Sequence, residues 1–148
     1  MTIRLADAEA TEAFGRALAA RIEAGDVIAL FGALGAGKTT LARGLLRGLG
    51  HDGEITSPTF PIVQVYGPPD TLIPLWHVDL YRIEHRSELK ELGLDEASGH
   101  DAMLIEWPDR LPSLWPEALA LALDVQAGGA RALTAKVPPA WGKRWPPT

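Results

Sequence analysis

Apolar positions along the chain follow two rhythms. Near the start, Leu5, Ala10, Phe14, Leu18 and Ile22 recur at close to helical spacing, with Asp7 as an N-cap and Gly25 as a stop, which predicts an amphipathic helix. The next apolar stretch, Val27-Ile28-Ala29-Leu30-Phe31, has no polar break and ends at Gly32. That is the pattern of a strand buried on both faces of a parallel sheet. Helical spacing returns at Leu41, Leu45, Leu46 and Leu49 and stops at Gly50. Strand, glycine-rich loop and helix therefore follow one another in the order of a phosphate-binding unit.

Further along, Phe60 to Tyr66 and Leu72 to Val78 read as an antiparallel pair joined at Gly67-Pro68-Pro69-Asp70. A short helix is expected over Ser87 to Leu92, closed by Gly93, and a buried strand over Ala102 to Glu106. Two later strands, Leu119 to Val125 and Ala132 to Val137, flank a turn at Gly128-Gly129. These elements predict a single α/β domain of the P-loop NTPase type, with a mixed, mainly parallel sheet flanked by helices. Its expected extent is residues 1–137. Residues 138–148, with four prolines and two tryptophans, are expected to form an extended tail that docks through Trp141 or Trp145.

Composition narrows the function classes. The 148 residues are 47% hydrophobic and 22% charged, enough for one core and too few for two ordinary domains. No cysteine is present, so disulfides, thiolate zinc sites and thiol nucleophiles are excluded. No apolar run has the length of a membrane span, and a soluble, cytoplasmic protein is expected. With 14 Lys and Arg against 19 Asp and Glu, the net charge of -5 disfavours direct nucleic-acid binding by this chain. Arg43 and Arg47, four apart on the expected helix, and Lys143 with Arg144 leave room for a local basic face, with solvated surface charge as the competing explanation.

The candidate chemistry centres on Gly32-Ala33-Leu34-Gly35-Ala36-Gly37-Lys38-Thr39, which matches G-x-x-x-x-G-K-[ST] at every fixed position. Glycines let the backbone curl so that N–H groups from Gly35 to Thr40 point at phosphate oxygens, and the following helix adds its N-terminal dipole. Lys38 is expected to reach the terminal phosphates of ATP, and the Thr39 hydroxyl to ligate magnesium. A second acid is needed near that metal. Glu106 ends an apolar strand and matches a Walker-B position better, while Asp79 ends another and would complete the metal's water shell or orient the attacking water. Helix capping or pairing with Arg82 is the alternative for each. Thr56-Ser57-Pro58-Thr59 lies where a segment sensing the terminal phosphate is often found, with a plain turn as its competitor. His77 reads as a packed strand residue rather than a base.

Taken together, the chain resembles the bacterial tRNA threonylcarbamoyladenosine biosynthesis ATPase family, TsaE, over about Leu5 to Val137. The resemblance rests on the loop through Thr40, then Ser57-Pro58-Thr59-Phe60, His77-Val78-Asp79-Leu80-Tyr81-Arg82, Glu88-Leu89 with Leu92-Gly93, and Ile105-Glu106-Trp107-Pro108. It implies ATP hydrolysis that supports threonylcarbamoyl transfer to the adenosine beside the anticodon, with the transfer itself performed by TsaD and TsaB. tRNA would then be met only through that complex, and the chain alone is expected to be a monomer. The resemblance carries over Thr39 and Glu106 as magnesium ligands, Lys38, Asp79 and Glu106 as catalytic positions, and Ser57, Pro58, Thr59 and Phe60 as a switch. It also places Thr11 and Arg131 near nucleotide-contacting positions. Tyr81, Arg82 and Trp107 serve partner contact or structure, and whether Trp107 stacks on a partner or packs on the core stays open. Ala33 departs from the acidic residue common in the family, and phosphate binding is expected to survive the change.

Two rival functions use the same cradle. A small-molecule kinase needs an arginine-bearing lid, and residues 84–99 offer only Arg86. A GTPase-like module usually carries N-K-x-D, and the chain contains no Asn.

Overall fold

The computed structural model describes residues 2–33, 35–55 and 62–147. Seven strands form one sheet: β1 (Thr2–Leu5), β2 (Val27–Phe31), β3 (Val63–Tyr66), β4 (Leu75–Asp79), β5 (Ala102–Glu106), β6 (Leu119–Val125) and β7 (Arg131–Lys136). Four helices accompany them: α1 (Ala8–Ala19), α2 (Lys38–Gly48), α3 (Arg86–Glu91) and α4 (Leu94–Ala97). The spatial order is β1-β7-β6-β2-β5-β4-β3. The central strands β6, β2, β5 and β4 run parallel, whereas β3, β7 and β1 join antiparallel at the margins. The expected α/β class with a mixed sheet, parallel at its centre, is what the chain adopts.

Each face of the sheet has its own apolar layer. Ile28, Leu30 and Leu104 pack with Phe14 and Leu18 of α1 and Leu41, Leu45 and Leu46 of α2. On the other face Val27, Val78, Met103 and Ile105 pack with Leu94 and Ala97, bordered by Leu89 and Trp115. Strand β2 is buried along Val27 to Leu30 because both layers cover it, which explains its unbroken apolar run.

The first helix is shorter than its apolar spacing suggested. Asp7 caps it as expected, its Oδ1 accepting the Ala10 N–H at 2.8 Å. However, Leu5 belongs to β1, and Ile22 lies in the turn after the helix, its N–H donating to Leu18. Thr2-Ile3-Arg4-Leu5 alternates polar and apolar residues and pairs antiparallel with β7, but two apolar positions are too few to declare a period. Strand β4 likewise starts at Leu75 rather than Leu72. Thr71 donates its hydroxyl to the Ile73 carbonyl, and the Leu72 N–H is taken by Leu49, which holds this stretch out of the ladder.

Helices α1 and α2 approach more closely than side chains would permit. A Cβ on Gly44 would lie 2.0 Å from the Glu12 carbonyl oxygen, and one on Gly15 would lie 2.3 Å from that of Leu41. These contacts fix α2, and with it the glycine-rich loop, against the domain.

Residues 138–147 fold back on the core. Trp141 is buried, and Gly142–Arg144 forms one 3-10 turn rather than a wholly extended tail. Ring closure around a single turn needs no helical sequence pattern when Arg144 is anchored, here by two hydrogen bonds to Asp26 at 2.6 and 3.1 Å. Trp145 meets Phe14 edge to face.

Candidate functional site

The glycine-rich loop connects β2 to α2 at the carboxyl ends of the parallel strands, the edge where open α/β sheets bind ligands. Gly37, at φ 104°, turns the chain directly into α2, a conformation costly for any residue with a Cβ. Gly37 has no side chain with which to cap this helix, which leaves its first N–H groups directed at the loop. Gly35, Ala36, Gly37, Lys38, Thr39 and Thr40 thus lie together at the turn from β2 into α2.

Lys38 is buried, and its Nζ donates to the Gly32 carbonyl at 2.7 Å while lying 3.8 Å from the centre of the Trp107 ring. Burial lowers the pKa of this ammonium below its ordinary value, and the carboxylates of Glu106, Asp79 and Asp109 pull it back up. Those three acids therefore surround the lysine electrostatically. Asp109 went unnoticed in the sequence because it lies in a turn just past the strand.

Glu106 and Asp79 are paired across β5 and β4 in the same register, so both point from the same face at the strand ends. Glu106 is buried, and its Oε2 lies 2.7 Å from Nε2 of the fully buried His77. Asp79 accepts the Tyr81 N–H at 2.9 Å and so turns the chain out of β4. His77 packs in the strand as its surroundings suggested, but its bond to Glu106 was missed. The readable signal was its spacing from Asp79: two residues apart on one strand puts both side chains on one face.

Trp107 has φ 57°, and no other non-glycine among the described residues has positive φ. Backbone strain of this kind is tolerated where the surroundings enforce it. Here the ring is pinned between Lys38 and Tyr81, 4.8 Å away, and borders the second apolar layer. Of the two roles left open for Trp107, packing is observed directly. Tyr81 and the residue after it, Arg82, are exposed.

Thr11 and Arg131 meet on the other flank of the loop. They line a cleft of about 60 Å³ with Ala8, Gly37, Thr40 and Gly129. Arg131 braces the loop from outside, Nε donating to Ala36 at 2.8 Å and Nη2 to Gly35 at 3.2 Å. A larger groove of about 670 Å³, between α3, α4 and residues 111–116, shares no residue with this site. Ser57, Pro58, Thr59 and Phe60 lie outside the described residues.

Two of the four basic residues considered for a basic face, Arg47 and Arg144, are bonded within the fold. Arg47 donates to the His51 and Gly53 carbonyls, and Arg144 to Asp26. Among the described residues, no helix is long and apolar enough to cross a membrane.

Comparison with known proteins agrees with this arrangement. The family model for threonylcarbamoyl adenosine biosynthesis protein TsaE matches residues 5–133. A tRNA threonylcarbamoyladenosine biosynthesis protein TsaE from Synechocystis sp. is 45% identical over 119 residues, covering 77% of this chain and 74% of the relative. The protein of the same description from Bacillus subtilis is 42% identical, covering 77% of this chain and 70% of its own. The crystal structure of Bacillus subtilis YdiB superposes with a TM-score of 0.74 at 34% identity, over 91% of this chain and 83% of that one. By sequence, by fold and by the loop it presents, this chain belongs to the TsaE family of tRNA threonylcarbamoyladenosine biosynthesis proteins.

Proposed function

We propose that this chain is a magnesium-dependent ATPase that drives threonylcarbamoyladenosine formation at the adenosine beside the anticodon, in the cytoplasm, while TsaD- and TsaB-type partners perform the transfer. The observation that carries this reading is the gathering of Lys38, Glu106 and Asp79 at the mouth of the glycine-rich loop. A cation for phosphates and acids for a metal are the two parts that phosphoryl chemistry requires together.

The donor chemistry fits magnesium. Thr39, Glu106 and Asp79 offer hard oxygens. Among the described residues no three His, Cys, Asp or Glu side chains form a metal cage. Sparse protein ligation is the rule where phosphates and waters complete the shell. Bound there, magnesium would supply positive charge to offset that of the phosphates. Thr39 and Glu106 would hold it.

The chain's own residues do the rest. Backbone N–H groups from Gly35 to Thr40 bind the phosphates, and Lys38 exchanges the Gly32 carbonyl for the terminal phosphate oxygens. Thr11 and Arg131 flank the nucleotide. Asp79 positions the attacking water, Ser57 to Phe60 report the phosphate state, and Tyr81 and Arg82 face the partners. With a net charge of -5, the chain meets tRNA through its partners and is a monomer when alone.

ATP hydrolysis by the purified chain, alone and then with the partner proteins and tRNA, tests the reading. Turnover should be slow alone, rise with the partners, and fall by about 100-fold or more in Lys38→Ala. Unchanged turnover in that variant, or phosphate appearing on a small metabolite, would overturn it.

A further inference from the structure

We propose that His77 is a positioning residue that holds the Glu106 carboxylate in its metal-facing orientation. The inference rests on the reading of Glu106 as a magnesium ligand and adds to it the group that orients that ligand.

The placement follows from strand register. His77 pairs with Leu104 and Asp79 with Glu106, so His77 sits one side-chain step behind the acids on the same face. From there its ring reaches forward across the strand gap. Nε2 comes within 2.7 Å of Glu106 Oε2, with side-chain exposures of 0% and 3%. A carboxylate only accepts hydrogen bonds, so Nε2 carries the hydrogen and donates it. The other ring nitrogen, Nδ1, takes no part in this contact. It is buried and has no hydrogen-bond partner among the described residues.

A packing role alone does not account for an imidazole here. The strand around it is apolar, with Leu75 and Val78 fully buried, and a leucine would fill the space without burying an unpaired nitrogen. What the imidazole adds is a donor fixed by the strand backbone and aimed at one oxygen of Glu106. A glutamate has three side-chain torsions, and a bond of this kind helps to restrict them and so to define its geometry toward a cation. Outer partners of metal ligands act in this way, and their loss typically weakens metal binding about 10- to 100-fold.

The test uses the full chain with a non-hydrolysable ATP analogue and manganese as a spectroscopic substitute for magnesium. Manganese affinity is read by electron paramagnetic resonance for the parent, His77→Leu, His77→Gln and Glu106→Gln. The expected result is a loss of about 10- to 100-fold in His77→Leu, with His77→Gln, which retains a side-chain N–H donor, within about threefold of the parent. Nucleotide affinity without metal should stay within about twofold in the two His77 variants. Nitrogen-15 NMR of the parent should show the Nε2–H form of His77, a readout that stands even where His77→Leu does not fold.

Parental manganese affinity in His77→Leu, equal weakening in both His77 variants, or an Nε2 without hydrogen in the parent would each overturn the proposal. If Glu106→Gln weakens manganese binding while His77→Leu does not, only the positioning role falls. If Glu106→Gln also binds manganese as the parent does, the ligand role of Glu106 falls with it.

Discussion

Asp26 and Glu106 lie at opposite ends of neighbouring parallel strands, Asp26 just before β2 and Glu106 at the close of β5. At the amino end, Asp26 takes two hydrogen bonds from Arg144 and one from the Glu23 N–H. Arg144 also donates to the Arg21 and Ala140 carbonyls and lies over the Trp141 ring. The acid and its cation thereby tie residues 138–147 to the core. At the carboxyl end, Glu106 acts electrostatically on Lys38 across a loop built from glycines, with a strained tryptophan beside it. Asp26 is bound within its own chain to hold the fold together, whereas Glu106 and Lys38, on the function proposed above, are arranged for a ligand.

The largest effect expected from this contrast comes from Glu106→Gln. Its near-identical shape preserves packing and an acceptor for His77, so the melting temperature should move by less than about 4 °C. Partner-stimulated ATP hydrolysis should nevertheless fall about 100- to 1000-fold. Calorimetry and a phosphate-release assay on the same preparation separate the two effects. Strong destabilisation with undiminished turnover per folded molecule would move Glu106 into the structural class with Asp26.

Arg144→Met should produce the opposite pattern. It keeps much of the aliphatic stem but strands Asp26, whose side chain is 13% exposed. A loss of about 1–3 kcal/mol is expected from denaturant unfolding, below that of a fully buried pair because water reaches both partners. ATP affinity should not change. Weakened ATP binding at unchanged stability would show that the tail communicates with the cradle.

The same contrast explains what could be read from the sequence. The glycine-rich loop was legible because its residue types stand at the fixed spacing of a phosphate-binding pattern, and β2 and β5 because two-sided burial writes an uninterrupted apolar run. Less legible were features that depend on residues far apart in the chain. Strand β1 exists through its pairing with β7, and the Asp26–Arg144 bridge spans 118 residues. The His77–Glu106 bond requires knowing that β4 lies beside β5 in one register. Gly15 and Gly44, for which sequence reasoning offered no role, act as the contact surface between α1 and α2.

The smallest expected effect concerns pH. Burial lowers the Lys38 pKa from the ordinary lysine value of 10.5, so its ammonium begins to lose its proton at lower pH than a free lysine would. The cation is the form that binds phosphate, so nucleotide affinity should be level at lower pH and decline as pH rises through the lowered pKa. For a single proton, the decline approaches at most about tenfold per pH unit. Bound phosphate favours the ammonium, so nucleotide should in turn raise the Lys38 pKa. Calorimetric titration across the alkaline range measures the first effect, and Lys38→Arg supplies the control, because a guanidinium stays charged throughout. That variant should bind more weakly than the parent at neutral pH but keep a flatter alkaline limb. If both proteins lose affinity in parallel, the titrating group is not Lys38, and the decline belongs to the fold rather than to the cradle.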